Sequence, residues 1–288
     1  MSEFLRRGMH WVLYRLRLRL PRTMARLSRE LPLRSVSALY TPSPSSGLQP
    51  ARIPRVVHQT WLTPRLGRSH AKALSAFRSR NPDFSFQFFD DVAIERYMED
   101  HFGNHPVHEV FRNAVYGPMR TDIWRYCLLF ERGGVYCDIG KAINIPLREL
   151  TSHSSAVISW EERNPEPFRP SSVVSDRLEH PDRRVINWAL MFEPRHPLLE
   201  SVIDGIVDKY PRFRARPFTD PKQAILELTG PIHLTECVHA FAETSALEGI
   251  RQAGINFEGA GQWELPGSYV RYLESPPYIL AKDQVIVR

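Results

Sequence analysis

The chain has 288 residues, enough for one large domain or two small ones, and its 42% hydrophobic and 24% charged content excludes a disordered or fibrous protein. Its net charge of +6 is unevenly spread: residues 1–34 hold nine arginines against Glu3 and Glu30, a balance of +7, while the other 254 residues carry 29 basic and 30 acidic groups. The high isoelectric point therefore describes a tail, and a near-neutral body argues against nucleic acid as a partner.

The tail, "FLRRGMHWVLYRLRLRLPRTMARLSREL", has no run approaching the roughly 20 apolar residues of a membrane span. Arginines also interrupt every candidate signal-peptide core. Trp11, Leu13, Tyr14, Leu16, Leu18 and Leu20 alternate with those arginines, as in a segment lying on an anionic membrane surface. A solvated extension is the alternative. "YTPSPSSGLQPARIP" follows as a Pro/Ser-rich linker, so residues 1–50 are read as tail plus linker and residues 51–288 as one domain. Cys127, Cys137 and Cys237 form no even disulfide framework, which suits reduced thiols in the cytoplasm, with peripheral attachment to a membrane through the tail.

Within the domain, "RVVHQTW" (55–61) reads as a buried strand, 68–80 as a helix ending before Pro82, and "FSFQFF" (84–89) as an alternating strand. "DDVAIERYMEDHF" returns to helical spacing. "MRTDIWRYCLLFERGG" is the clearest helix, with an apolar stripe of Ile123, Trp124, Cys127 and Leu128 and a stop at Gly133 and Gly134. "VYCDI", "AVISW" (156–160) and "VINWALMF" (185–192) are strands, and "HPLLESVIDGIVDKY" and "DPKQAILELTG" are helices. Strands alternating with helices predict an α/β sheet covered on both faces.

In such sheets ligands bind beyond the carboxyl ends of the strands, where Asp138 would stand. Asp122 and Arg125, three apart on the preceding helix, share the face not taken by the apolar stripe. Opposite charges at that spacing are commonly a surface ion pair. Placed before the Gly-Gly turn and a strand-end acid, they also suit ligand chemistry, since a guanidinium neutralises phosphate and a carboxylate holds sugar hydroxyls. His233, Cys237 and His239 in "HLTECVH" lack a fourth zinc ligand. No G-x-S-x-G, P-loop or G-x-G-x-x-G occurs.

These blocks resemble the family-32 glycosyltransferases, whose sugar-binding region carries a DXD motif. The likeness covers most of residues 51–235: "IPRVVHQTW", "NPDFSFQFFDD", "RTDIWRYCLLFERGGVYCDIG", "VINWALMFEPRHPLL" and "LTGP". The third block is the most specific. The resemblance implies a GT-A fold, a Rossmann-like mixed sheet flanked by helices in a single domain. It also implies transfer of a sugar from a nucleotide-diphosphate sugar to a glycan or lipid-linked acceptor, with retention. By position, Asp122, Arg125 and Asp138 match the residues that act on the donor's sugar and phosphates. His58, Gln59 and Trp61 match the neighbourhood of the nucleotide base, and Asn187 falls in a block lining the sugar pocket. Read as residues alone, a strand-ending Trp and a strand His are as readily core.

One departure is plain. The second acid of the DXD motif, a direct metal ligand in the family, is Gly140 here, and the family's C-terminal His segment has no counterpart after His239. Mn or Mg would be left with Asp138, unless Glu161 or Glu162 contributed. Arg120, Arg125 and Lys141 are fixed cations that could offset a leaving diphosphate instead. The expectation is a weakened or altered metal requirement. A non-catalytic sugar-nucleotide or glycan-binding protein on the same fold is the alternative, and a membrane-surface adaptor is a third reading.

Overall fold

The computed structural model describes residues 29–40, 51–273 and 281–288. At its centre lies a six-stranded sheet of β1 (Val56–Thr60), β2 (Ser85–Phe89), β3 (Gly134–Cys137), β4 (Ala156–Trp160), β5 (Ala189–Phe192) and β6 (Ile250–Ile255). Their spatial order is β6-β4-β5-β3-β1-β2. β5 runs antiparallel to β3 and β4, while every other neighbouring pair is parallel. The one reversed strand brings its N-terminal lead-in, Ile186–Asn187–Trp188, to the edge where the other five strands end. That edge carries the site.

Side-chain alternation sorts the core into two layers. Val57, Val135, Cys137, Val157 and Met191 point to the face covered by α1 (Arg68–Arg80) through Leu74 and Phe77. Tyr136, Ile158, Leu190 and Phe192 point to the other face, under α2 (Asp91–Phe102), α3 (Pro106–Asn113), α4 (Gly117–Arg132), α5 (Pro197–Phe213), α6 (Pro221–Leu228) and α7 (Pro231–Thr244). Burial on both faces is what the apolar runs in β3, β4 and β5 require.

The mixed α/β sheet flanked by helices is the expected architecture, and most elements fall within a residue or two of their predicted bounds. Of the six central strands and the seven helices named above, three escaped the sequence reading: α3, α7 and the edge strand β6. Helix α7 contains the His233, Cys237 and His239 cluster, where His233 Nε2 lies 2.8 Å from the Val202 carbonyl and is used in packing. The strand expected over 185–192 is shorter, because Asn187 leaves the sheet to meet α4.

Helix α4 needs a further correction. Its spacing predicts an apolar stripe of Ile123, Trp124, Cys127 and Leu128, with Asp122 and Arg125 on the face that stripe leaves free. Instead Met119 and every residue from Asp122 to Leu129 are buried, because the β5 lead-in and the end of α6 cover the polar side. The Gly-Gly turn that ends α4 has a strict backbone reason. Gly133 and Gly134 have φ of 62° and 99°, and a Cβ would come within 2.7 Å of Pro194 Cδ or Val56 Cγ1 respectively.

Of the basic segment 1–34, residues 1–28 lie outside the described residues. Residues 29–40 pack on the body: Val36 and Leu39 join the α1-side core, and the Glu30 carboxylate accepts a 2.8 Å bond from Ser69 N–H in the first turn of α1. Residues 29–40 thus belong to the same packed unit as the domain.

Candidate active site

The sequence "VYCD" places Tyr136 and Asp138 two residues apart, so both face α4. The Tyr136 hydroxyl donates to Asp138 Oδ1 at 2.6 Å. Arg125 Nη2 approaches the same oxygen at 3.7 Å and Asp122 Oδ1 at 3.2 Å. Its Nη1 donates to the Asn187 carbonyl at 2.6 Å, and its Cζ lies 4.3 Å from the centroid of the Tyr136 ring. The guanidinium therefore ties together α4, the end of β3 and the lead-in to β5.

Asp122 is held from the far side. Asn187 Nδ2 donates to its Oδ1 at 3.3 Å, and the Thr229 hydroxyl donates to its Oδ2 at 3.2 Å. Thr229, in the "LTGP" block, is itself anchored by the Tyr126 hydroxyl on its carbonyl at 3.0 Å. Burial raises the Asp122 carboxyl to about 7, against the opposing pull of Arg125. Burial also works against the Arg125 charge, but Tyr136, Asp122 and Asp138 reverse it and hold the guanidinium protonated.

Asp138 is the exposed member, its side chain 29% accessible against 7% for Arg125. Its other oxygen, Oδ2, lies 3.4 Å from Lys141 Nζ. The Asp138–Lys141 turn closes with Lys141 N–H on the Asp138 carbonyl at 2.9 Å, which folds the ammonium back over the carboxylate. Lys141 is also capped by aromatic rings: its Nζ lies 3.6 Å from the Trp263 ring centroid and 5.2 Å from that of Trp188. Strand pairing explains why. Ala142 and Ile143 pair antiparallel with Gln262 and Gly261, so Trp263 falls opposite Lys141. Burial lowers the Lys141 ammonium and Asp138 opposes that shift.

The remaining predicted residues divide by face. Asn187 joins Asp122, Arg125 and Asp138. Trp61, half-buried, follows β1 at the same edge and packs against the α1-side core. Gln59 is fully buried, and alternation from Val57 points it to the α1 face, away from Asp138. His58 is buried with Nε2 3.2 Å from the Gly133 carbonyl, and burial lowers it to about 4. It supports the Gly-Gly turn and lies away from the carboxyl edge. Arg120 turns to Glu95 of α2 at 2.9 Å. Glu161 follows β4 at the site edge, its carboxyl raised by burial and lowered in part by Arg184 and Lys141.

Tyr136, Thr229, Trp188 and Trp263 were missed as site residues. Strand alternation from Asp138 was enough to find Tyr136. Trp263 gave no local signal, since only the pairing of two remote segments brings it to Lys141.

The family description "Glycosyltransferase sugar-binding region containing DXD motif" matches residues 67–157, the span from α1 through Asp138 to β4. Over those residues the chain is similar to a glycosyltransferase sugar-binding region. It is 27% identical over 195 residues to the initiation-specific alpha-1,6-mannosyltransferase of Saccharomyces cerevisiae, covering 54% of this chain and 39% of that protein. It is 24% identical over 187 residues to inositol phosphoceramide mannosyltransferase 3 of Schizosaccharomyces pombe, covering 65% of this chain and 45% of the relative. The chain thus spans less than half the length of these relatives. Among solved structures the PaToxG glycosyltransferase is similar, with a TM-score of 0.47 and 17% identity over 68% of this chain and 72% of the other.

The donor set at this region does not suit Mn²⁺ or Mg²⁺, which want several hard oxygen ligands. Asp138 already has two cationic side chains beside it, Arg125 at one oxygen and Lys141 at the other, which opposes a further cation but not a neutral hydroxyl. Residue 140 brings no side chain. Among the described residues no three His, Cys, Asp or Glu side chains gather closely enough to hold an ion.

Proposed function

We propose that the chain is a glycosyltransferase that moves a sugar from a nucleotide-diphosphate sugar to a glycan or lipid-linked acceptor, with retention at the anomeric carbon. The observation that carries this reading is Asp138. It is a half-exposed carboxylate at the carboxyl edge of the sheet, fixed by a Tyr136 hydroxyl and an Arg125 guanidinium inside a matched sugar-binding region. Such a carboxylate accepts hydrogen bonds from the hydroxyls of the donor's sugar or ribose. Trp61 offers a flat apolar surface at the same edge for the base.

Roles follow exposure. Arg125 and Asp122, both buried, position Asp138 and Asn187, and Asp138 is the group left to meet the donor. In the transfer, the bond from the anomeric carbon to the diphosphate oxygen breaks with its electron pair going to that oxygen. The acceptor hydroxyl oxygen bonds to the same carbon, and its proton passes to the released diphosphate. Prepositioned charge at the departing oxygen supplies the rate enhancement such sites need.

A panel of nucleotide sugars, scored for nucleotide release with wild type and with Asp138→Ala, tests this. Release that depends on both acceptor and Asp138 supports the reading. Donor binding without release with any acceptor would favour a non-catalytic sugar-nucleotide-binding protein, the reading suggested by Gly140. Product anomeric configuration, read by NMR, tests retention.

The acceptor side rests on charge. A +7 segment over residues 1–34, interleaved with Trp and Leu, suits an anionic membrane at about 1 kcal/mol per basic residue near the surface. Relatives named as inositol phosphoceramide mannosyltransferases are consistent with a membrane-borne acceptor. The full chain should sediment with phosphatidylserine vesicles at low salt and be released as the salt is raised. Equal partitioning onto neutral vesicles would remove the electrostatic anchor.

A further inference from the structure

We propose that the Lys141 ammonium is the resident cation of this site, taking the place a divalent metal would have against the donor's diphosphate. The inference rests on the glycosyltransferase reading and deepens it, because it names how the leaving group is stabilised and what the site no longer needs.

Charge balance makes the case first. Two carboxylates with one divalent ion sum to zero, and so do one carboxylate and one ammonium. Here the side chain at residue 140 is absent, and the next residue places a cation 3.4 Å from the surviving Asp138. The exchange is local, within one four-residue turn closed by the Lys141 N–H to Asp138 carbonyl bond.

The ammonium is built in, not a passing surface lysine. Its side chain is 13% accessible, while Asp138 beside it is 29% accessible, so the pair opens to solvent on the Asp138 side. Trp263 and Trp188 stand edge to face, their ring centroids 6.2 Å apart, and both present to Nζ. Each cation–π contact attracts the ammonium to a ring face and so fixes where the charge sits. A free lysine tail would spend that ordering cost at each turnover. The position of Trp263 is itself imposed by strand pairing with Ala142 and Ile143. Among the cations near the turn, Arg125 is committed to the Asn187 carbonyl, Asp122 and Asp138, and Arg120 to Glu95. Of these three described cations, Lys141 is the one whose main partner, Asp138, faces the solvent edge.

When the bond to the diphosphate oxygen breaks, the ammonium keeps its proton and offsets the charge gathering on that oxygen. Nothing is oxidised or reduced and no further reactant is needed. The consequence is transfer that survives chelation.

Inorganic pyrophosphate is the probe, because it carries the diphosphate without base or sugar. Calorimetric titration of the full chain in EDTA should show binding, with a dissociation constant unchanged by added Mn²⁺. Lys141→Met keeps the aliphatic stem on the indoles and removes the charge. It should weaken pyrophosphate at least tenfold, while Lys141→Arg stays within a few-fold of wild type. Lys141→Gln serves as a second neutral variant should the Met variant melt early without ligand. The double variant Gly140→Asp, Lys141→Met should bind Mn²⁺ by electron paramagnetic resonance and take pyrophosphate only with that ion. Equal pyrophosphate and donor affinity in wild type and Lys141→Met would overturn the role of Lys141 and leave the glycosyltransferase reading intact. Wild-type binding that requires Mn²⁺ would overturn it as well. A wild type that binds neither pyrophosphate nor any nucleotide sugar would overturn both.

Discussion

Two groups of charges meet at the carboxyl edge of the sheet, and they differ in depth more than in chemistry. Asp122 and Arg125 are buried and are held by Asn187, Thr229, Tyr136 and Asp138. Asp138 and Lys141 make a similar ion pair a few ångströms away, but one of its members is open to solvent. The inner pair holds three elements in register, and the outer pair is available to a ligand. Had the same four residues been equally exposed, no division of labour could be argued. Burial turns an ion pair into a strut, because a buried charge that loses its partner has no water to fall back on.

Breaking the strut should give the largest effect. Arg125→Met leaves Asp122 buried without its cation and the Asn187 carbonyl without its donor, and should cost about 3–5 kcal/mol in urea unfolding. Arg125→Lys cannot reproduce the forked contacts to Asn187, Asp122 and Asp138 at once, so it should lose transfer severely and stability partly. If Arg125→Met unfolds like wild type, the inner pair is not a strut.

Breaking the outer pair should separate activity from stability. Asp138→Ala should reduce transfer by about a hundredfold or more, roughly 2.7 kcal/mol. Its melting temperature without ligand should stay close to wild type, because a half-exposed edge carboxylate contributes little packing. Near-normal transfer by this variant would move the site elsewhere.

His58 sharpens the contrast from the other side. It belongs to the same strand block as Trp61 but supports the Gly133 turn, so His58→Ala should cost about 2 kcal/mol of stability. The KM for donor should not move. A selective rise in KM would return His58 to the donor site.

The smallest effect is in pH, and its sign differs between groups. Asp122 is raised in the fold, so its contribution is present below the ordinary carboxyl range and lost as pH rises through about 7. His58, His196 and His233 are each lowered to about 4 by burial, so their contribution is present above about 6.5 and lost as pH falls towards 4. Asp122→Asn should therefore gain stability relative to wild type between pH 5 and 8, and keep the acid-side loss. Denaturant midpoints at pH 4.5, 6 and 8 check both arms. A variant whose difference from wild type is the same at pH 5 and 8 would show that Asp122 does not titrate in that window.

Much of this was legible in one dimension. Dense apolar runs placed the buried strands β1 and β4, and alternation placed the edge strand β2, each within a residue of where it lies. Asp122, Arg125, the Gly-Gly pair and Asp138 could be picked out because helix spacing, a φ-positive turn and a strand end each leave a local mark. Helix α7 was obscured by its His and Cys content, and β6 by the Gln and Gly within its six residues. Both are held by tertiary packing more than by local preference.

What the chain's order of residues determined by itself was the layout of charge: a basic tail on a neutral body, an acid at a strand end, a glycine where a second acid would stand and a lysine beside it. Only the tertiary structure decided what those charges do. Depth made Arg125 a strut, because α6 and the β5 lead-in close over a helix face that its sequence presents as polar. Pairing of two segments 120 residues apart set Trp263 over Lys141, and no local pattern encodes that contact because it depends on register between strands. Local preference acts over a few residues, whereas the electrostatics of a site depend on which distant groups exclude water from it.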